Sequence, residues 1–441
     1  SVLSTRVSLH LGKIAEIGRA RKTRPQILCV GRALHQRLLF FTTHFIVPLN
    51  RHTSNFIPRY FLLFLLVFPP QLLLLVVDLC SPIHLLLCKP CSSDMFRTGT
   101  RVLQVLQRSP VEWQKLLQIR FSSIRVFDAA QKLFVTPVEL EGTKGKFTVD
   151  AVFQDTAASG SPRGTVVTLH GSPGSHKDFK YTTPLLEGEG YRVVGINYPG
   201  FALSGDSDEL QHHNDERTVF VQSIIDRLNL KDTVLFLAHS RGCENALRLV
   251  VANQDKTIGM ALISGTGFRV QKAIRPISRL KNIRHFYEKY HFARGPMEKL
   301  FYHVYNRVLG LRVYHGRTAL TAIKTMSLSD IEKQRPFIDE FNKNDKLLAL
   351  VCYSGKDHLI ETDISAEFAA AFHERVHLNL SKDDDEEMTT NQIIKAFAVD
   401  DRRRVTVEFT DDNHFSQKHR AKLIARSIDA MFEAAKRIKS Q

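Results

Sequence analysis

A chain of 441 residues, 43% hydrophobic and 24% charged, is long enough for one large domain or two ordinary ones and has the composition of a globular protein with a buried core. Its formal net charge of +16 is unevenly spread: residues 1–94 carry 11 Lys/Arg against 3 Asp/Glu (net +8), and residues 268–346 carry 17 against 7 (net +10). Such charge suits nucleic acid, anionic lipid or acidic substrates, but no zinc-finger spacing, RNP-like run or basic zipper accompanies it, so the common nucleic-acid modules are excluded.

The first 94 residues read as a poorly structured or artefactual extension, because the chain opens on serine and its first methionine is Met95. Phe61 to Val77 is an uncharged run of 17 residues interrupted by Pro69, Pro70 and Gln71. As a helix it would span roughly 26 Å, slightly short of a hydrocarbon core, and the proline pair would kink it. A hydropathy window still reads it as a membrane span, so an anchor and no anchor both stand as readings. A signal peptide fits less well, since the run lies far from the start. Residues 95–129 are Arg-rich, with Glu112 as their first acid, and Val102, Leu103, Val105 and Leu106 form an apolar stripe. That is the composition of a mitochondrial import sequence, and an exposed helix packed on the domain is the competing reading. The expected location is mitochondrial if translation starts at Met95, membrane-anchored if 61–77 is a real span, and cytoplasmic otherwise. Four of the six cysteines precede residue 92, leaving Cys243 and Cys352, which does not suit a disulfide-rich domain. Cys88-Lys-Pro-Cys91 has no second ligand pair nearby, so neither zinc nor another metal is expected.

From residue 130 short β-rich runs alternate with helical ones. LFVTPVEL and KFTVDAVFQ predict two strands joined by a turn at Gly142–Gly145. TVVTLHG (165–171), YRVVGINYPG (191–200), TVLFLAHS (233–240) and GMALISGTG (259–267) are almost wholly apolar, the texture of strands buried on both faces. KLLALVCYSG (346–355) and RVTVEFT (404–410) predict two more. Helical spacing appears at 217–230, after Ser240, and at 389–398, the last preceded by the acidic run KDDDEE (382–387), read as a solvated loop. The alternation predicts a mostly parallel α/β sheet with helices on both faces over residues 130–441. The strand-free stretch at about 268–345 holds 11 aromatics, and Leu280, Ile283, Phe286, Tyr287 and Tyr290 recur at helical spacing. It reads as a helical lid beside the carboxyl ends of the strands, where ligands bind in such sheets.

Within FLAHSRGCENAL (236–247), Ser240 stands between a buried strand and a helix. A sharp turn there lifts the hydroxyl clear of the sheet and requires small residues two before and two after; Ala238 and Gly242 meet that requirement. The helix opening at Arg241 points free N–H groups towards the site, and the HGSPGS turn (170–175) offers the Ser172 N–H, making Ser172 and Arg241 the expected backbone oxyanion donors. Asp357 follows the strand 346–355 and His414 follows 404–410, in the order nucleophile, acid, base. Glu361 is the substitute acid, and His239, His358 and His419 are weaker candidates for the base.

These pieces (LHGSPGSHKDF, YRVVGINYPGFALSG, LAHSRGCENAL, YSGKDHLIE and DDNHF) resemble the α/β-hydrolase superfamily, in the lidded group similar to esterases, lipases and epoxide hydrolases. The spelling of HGSPGSHKDF with HSRGCENAL is similar to an animal subfamily whose substrate is not established. The resemblance covers about 70% of the chain and departs from the usual pattern at Asn197, Ala202 and Ala238. It implies a serine hydrolase acting on carboxylic esters or thioesters with Ser240, Asp357 and His414 as triad and no metal or organic cofactor. Lipase, amidase or C–C bond hydrolysis by the same triad, and a non-catalytic binding role, are the alternatives; serine in place of aspartate argues against epoxide or haloalkane hydrolysis through an alkyl-enzyme ester. The expected partner is a small acyl ester or thioester substrate and no nucleic acid, with an anionic membrane surface standing as a further reading.

Overall fold

A computed structural model describes residues 124–156, 162–230 and 233–440. The hydrophobic run at 61–77, the C-x-x-C pair and residues 95–123 of the basic segment lie outside the described residues. Ten strands are present there: β1 (Arg125–Asp128), β2 (Leu133–Gly142), β3 (Gly145–Asp155), β4 (Thr165–Leu169), β5 (Arg192–Ile196), β6 (Val234–His239), β7 (Thr257–Ile263), β8 (Leu348–Ser354), β9 (Val376–Leu380) and β10 (Arg404–Phe409). They form one sheet in the order β1-β2-β3-β5-β4-β6-β7-β8-β10-β9. β1, β2, β3 and β5 pair antiparallel in succession, and every pairing from β5 to β9 is parallel. The sheet is thus mostly parallel, as the alternation of runs predicts.

The apolar strands are continuous because both faces are covered. Along β6, Phe236 and Ala238 point into one core while Leu235 and Leu237 point into the other, and β4 and β7 divide the same way. On the first face lie helices Asn214–Arg227, Gly242–Ala252 and Thr362–Ala370, through Phe220, Ile224, Leu247, Val250 and Phe368. The second is covered by helices Glu386–Ala398 and Ala421–Ser440, through Ile393, Phe397, Ile428 and Met431. Packing at the strand starts is close enough to require glycine once: Gly259 has φ +139°, and a Cβ there would lie 1.9 Å from the Leu348 carbonyl oxygen.

Several boundaries differ from the sequence expectation for physical reasons. β9, in the sequence VHLNL, alternates partly buried and exposed residues, so its polar His377 and Asn379 hide an edge strand. β1 adds only four residues to the antiparallel edge and carries no signal of its own. The acidic run is not all loop: Asp385 caps helix Glu386–Ala398 by accepting the Glu387 N–H at 2.9 Å, and Glu386 and Glu387 lie in its first turn, where the helix dipole favours acids. Residues 264–347 contain no strand, but the insertion divides in two. Helices Ile277–Lys289 and Arg294–His303 bury no residue fully. Helices Gly316–Ser327 and Arg335–Asn342 instead place Leu320, Ile323, Ile338 and Phe341 in the first core. Within the stretch expected as a lid, 268–345, the last two helices thus pack into the first core and the first two bury no residue fully. Among the described residues no helix is long and apolar enough to cross a membrane.

Candidate active site

The chain leaves β4 for β5 on one side and β6 for β7 on the other, so β4 and β6 flank the point where strand order reverses, which is where such sheets bind ligands. Both strands end there in a tight turn. Ser240 follows β6 with φ +51°, a left-handed conformation that costs a non-glycine residue roughly 1–2 kcal/mol. Its N–H still bonds the Ile263 carbonyl at 2.9 Å, and its carbonyl accepts the Cys243 N–H at 3.0 Å, which turns the chain into helix Gly242–Ala252 within two residues. Gly242 lies against the end of β4; a Cβ on it would sit 2.4 Å from the Leu169 oxygen and 2.8 Å from the His170 oxygen. Ala238 is fully buried in the first core, so its methyl group packs rather than obstructs.

His414, on the loop after β10, stands with Nε2 2.9 Å from Ser240 Oγ and Nδ1 2.7 Å from Asp357 Oδ2. Asp357, on the loop after β8, accepts the N–H groups of Leu359 (2.8 Å) and Ile360 (3.0 Å) on Oδ1. Both residues are buried, while Ser240 is partly open. Burial lowers the His414 imidazole below its ordinary 6.5 and outweighs the opposing pull of Asp357. Burial also works to raise the Asp357 carboxyl, but His414 and the two N–H groups more than offset it and hold the group below its ordinary value. The ring is thus neutral and the carboxyl ionised at neutral pH, the protonation states of a base and its orienting acid.

The HGSPGS turn is tight against the serine: a Cβ on Gly171 would lie 3.2 Å from Ser240 Cβ. Among the described residues, no other group takes up the N–H of Ser172 or of Arg241. Glu361 does not reach His414. Its carboxylate accepts the Lys272 N–H at 3.0 Å and Arg275 Nη2 at 2.8 Å, which ties the start of the insertion to the loop after β8. His358 and His419 are exposed, and His419 ends a separate short helix, Ser416–His419, ahead of the terminal one.

Three sets of supporting contacts escape sequence reasoning, because each includes a partner at least 27 residues away in the chain. His170 donates from Nδ1 to the Gly171 carbonyl (2.6 Å) and accepts the Tyr198 N–H on Nε2 (3.1 Å), and burial lowers it to about 4, so it serves as a neutral clamp on the turn. His239 faces the His414 carbonyl with Nε2 (3.1 Å) and Asp178 Oδ2 with Nδ1 (3.4 Å), and Asp178 in turn accepts the Gly171 N–H at 3.2 Å. Beneath the elbow the fully buried Arg241 side chain meets Glu244 (2.7 Å) and Asn214 (2.6 Å), while Glu244 also accepts Thr266 Oγ1 (2.9 Å) and Ser329 Oγ (2.7 Å). Asn197, where an aspartate is common, accepts the His176 N–H at 2.9 Å and donates to the Val152 carbonyl at 3.0 Å, a structural clamp between β3 and the turn. Among the described residues no group of three or more His, Cys, Asp or Glu side chains is placed to hold a metal ion. A cavity of about 260 Å³ between the insertion and the 206–212 loop contains none of the site residues, and its Asp206, Asp208 and Glu288 are ion-paired with Arg317, Arg294 and Lys324.

The model of a family described as alpha/beta hydrolase of unknown function (DUF1057) matches residues 130–433. An uncharacterized protein of Caenorhabditis elegans, F35H12.5, is 31% identical over 313 residues, covering 69% of this chain and 87% of the worm protein. A haloalkane dehalogenase of Psychrobacter cryohalolentis is 33% identical over 92 residues, 21% of this chain and 30% of that enzyme. Among solved structures, an esterase from Exiguobacterium antarcticum superposes with a TM-score of 0.45 at 14% identity, over 66% of this chain and 99% of that one.

Proposed function

The chain belongs to the alpha/beta hydrolase family of unknown function, and on that premise we propose that it is a serine hydrolase cleaving carboxylic esters or thioesters through an acyl-serine intermediate. The observation that carries the reading is His414, which bridges Ser240 Oγ at 2.9 Å and Asp357 Oδ2 at 2.7 Å. His414 Nε2 takes the serine proton as Oγ attacks the carbonyl carbon, then returns it to the leaving alkoxide or thiolate. Asp357 holds the proton on Nδ1 and stabilises the imidazolium. The tetrahedral oxyanion accepts the free N–H groups of Ser172 and Arg241, the latter held by the buried contacts of its side chain with Glu244 and Asn214. Water then attacks the acyl-serine with His414 again as base. No step calls for a metal or organic cofactor.

Helices Ile277–Lys289 and Arg294–His303 are proposed as the lid that selects the acyl group. Lipase, amidase and C–C hydrolase chemistries share the first proton transfer, and a panel of esters, thioesters, amides and β-diketones separates them. An alkyl-enzyme ester requires a carboxylate nucleophile, so haloalkane hydrolysis of that kind is not proposed for Ser240. The test of the reading is a fluorophosphonate probe: the full chain is expected to label at Ser240, with labelling lost in Ser240→Ala. An unlabelled parent chain, or undiminished labelling of the variant, would leave a non-catalytic binding protein as the better account.

A further inference from the structure

Residues 277–315 combine two features. Phe292 (81%), Val308 (76%) and Tyr314 (74%) are the most exposed of the large apolar side chains there, with Phe286, Leu300 and Leu309 also exposed. Phe286, Tyr290 and Phe292 form one aromatic chain, with ring centroids 4.8 and 5.9 Å apart in turn, and Lys289 lies over the Tyr290 ring at 5.3 Å. Among the same residues Arg279, Lys281, Lys289, Lys299, Arg307 and Arg312 have no carboxylate within 4.0 Å among the described residues. The stretch has only two acids, and both are engaged: Glu288 with Arg284 and Lys324, Glu298 with the Tyr287 hydroxyl.

We infer that residues 277–315 dock on an acidic lipid bilayer, their exposed rings and aliphatic side chains entering the headgroup boundary and their unpaired cations meeting lipid phosphates. A bilayer surface accepts both features together: aromatic rings settle at headgroup depth, long basic side chains extend their charge outward from an apolar stem, and each cation adds to attraction for an anionic leaflet. A nucleic-acid backbone would take the cations but leave Leu300, Val308 and Leu309 in water. The inference stands apart from the serine-hydrolase reading, since it concerns binding alone.

The full chain is tested on vesicles of phosphatidylcholine with and without phosphatidylserine. Because residues outside the described ones could hold the chain on a vesicle, the contact is read within 277–315 itself: Phe292→Trp is compared with the parent for quenching by brominated acyl chains. Added quenching is expected with phosphatidylserine present and little without it. Replacing Lys289, Lys299, Arg307 and Arg312 with Gln together is expected to weaken the phosphatidylserine-dependent quenching by about tenfold or more, with an unchanged circular dichroism spectrum and melting temperature as the control for folding. The inference is overturned if Phe292→Trp adds no quenching, if quenching ignores phosphatidylserine and the four cations, or if a nucleic-acid duplex or a protein partner binds this stretch while lipid does not. Fluorophosphonate labelling of the same samples reads the hydrolase proposal separately, so either can fail alone.

Discussion

Asp357→Asn is the substitution that separates orientation from geometry. Oδ1 of Asp357 accepts two backbone N–H groups, from Leu359 at 2.8 Å and Ile360 at 3.0 Å. In the asparagine variant the amide oxygen stays at that position, because an NH2 group there would face two donors and strand them at about 1–3 kcal/mol each. The NH2 group then faces His414 Nδ1, which must become an acceptor. The ring proton moves to Nε2, which now donates to Ser240 Oγ and has no lone pair to receive the serine proton. Distances are preserved while the base is lost. Fluorophosphonate labelling and ester turnover should fall by about 10³–10⁴-fold, roughly 4–5.5 kcal/mol of barrier, with melting little changed because the two side chains have the same shape. Glu361→Gln is the control: its carboxylate serves Lys272 and Arg275, so labelling within about threefold of the parent is expected. A loss below tenfold in Asp357→Asn, or an equal loss in Glu361→Gln, would refute the assignment of the orienting acid.

Other outcomes follow from the same geometry. Since burial sets His414 below 6.5, the acid limb of the labelling rate against pH should have its midpoint under that value, and a midpoint above it would contradict the burial of the ring. His170 takes up its proton at about 4 when folded but at 6.5 when unfolded, so acidification favours the unfolded chain. Its contribution, about 3 kcal/mol, is present above pH 6.5 and lost as pH falls towards 4; urea unfolding that is flat across that window would exclude it. Ala238→Gly should cost about 1 kcal/mol and leave labelling intact. Gly242→Ala, whose methyl group would lie 2.4 Å from the Leu169 oxygen, should cost several times more and abolish labelling; comparable melting curves for the two would argue against the close packing of the elbow on β4.

The parts of the molecule legible in its sequence are those with local causes. β4, β6, β7 and β8 are visible because strands buried on both faces are continuously apolar. Ser240, Asp357 and His414 are legible as candidates because Ser240 directly follows β6, and the other two lie in the short loops that follow β8 and β10. β9 is obscured by the polar side chains that an edge strand tolerates, and the last two helices of the insertion by aromatic and basic residues that look continuous with the exposed ones before them. The Arg241–Glu244–Asn214 group and the His170, Asp178 and His239 contacts are invisible for another reason. Buried polar residues declare themselves only through partners, and here each group includes a partner from another part of the chain: Asn214 for Arg241, Tyr198 for His170 and Asp178 for His239.

The contact of His239 with both Asp178 and the His414 backbone gives the three loops around Ser240 a common yoke. The turn after β4, the elbow after β6 and the loop after β10 are thereby linked, so that a displacement of one strains the other two. Under the proposed serine chemistry, related chains should keep these three loops superimposable and vary residues 277–315, and an effort to change the substrate would do better to graft that stretch than to randomise the loops.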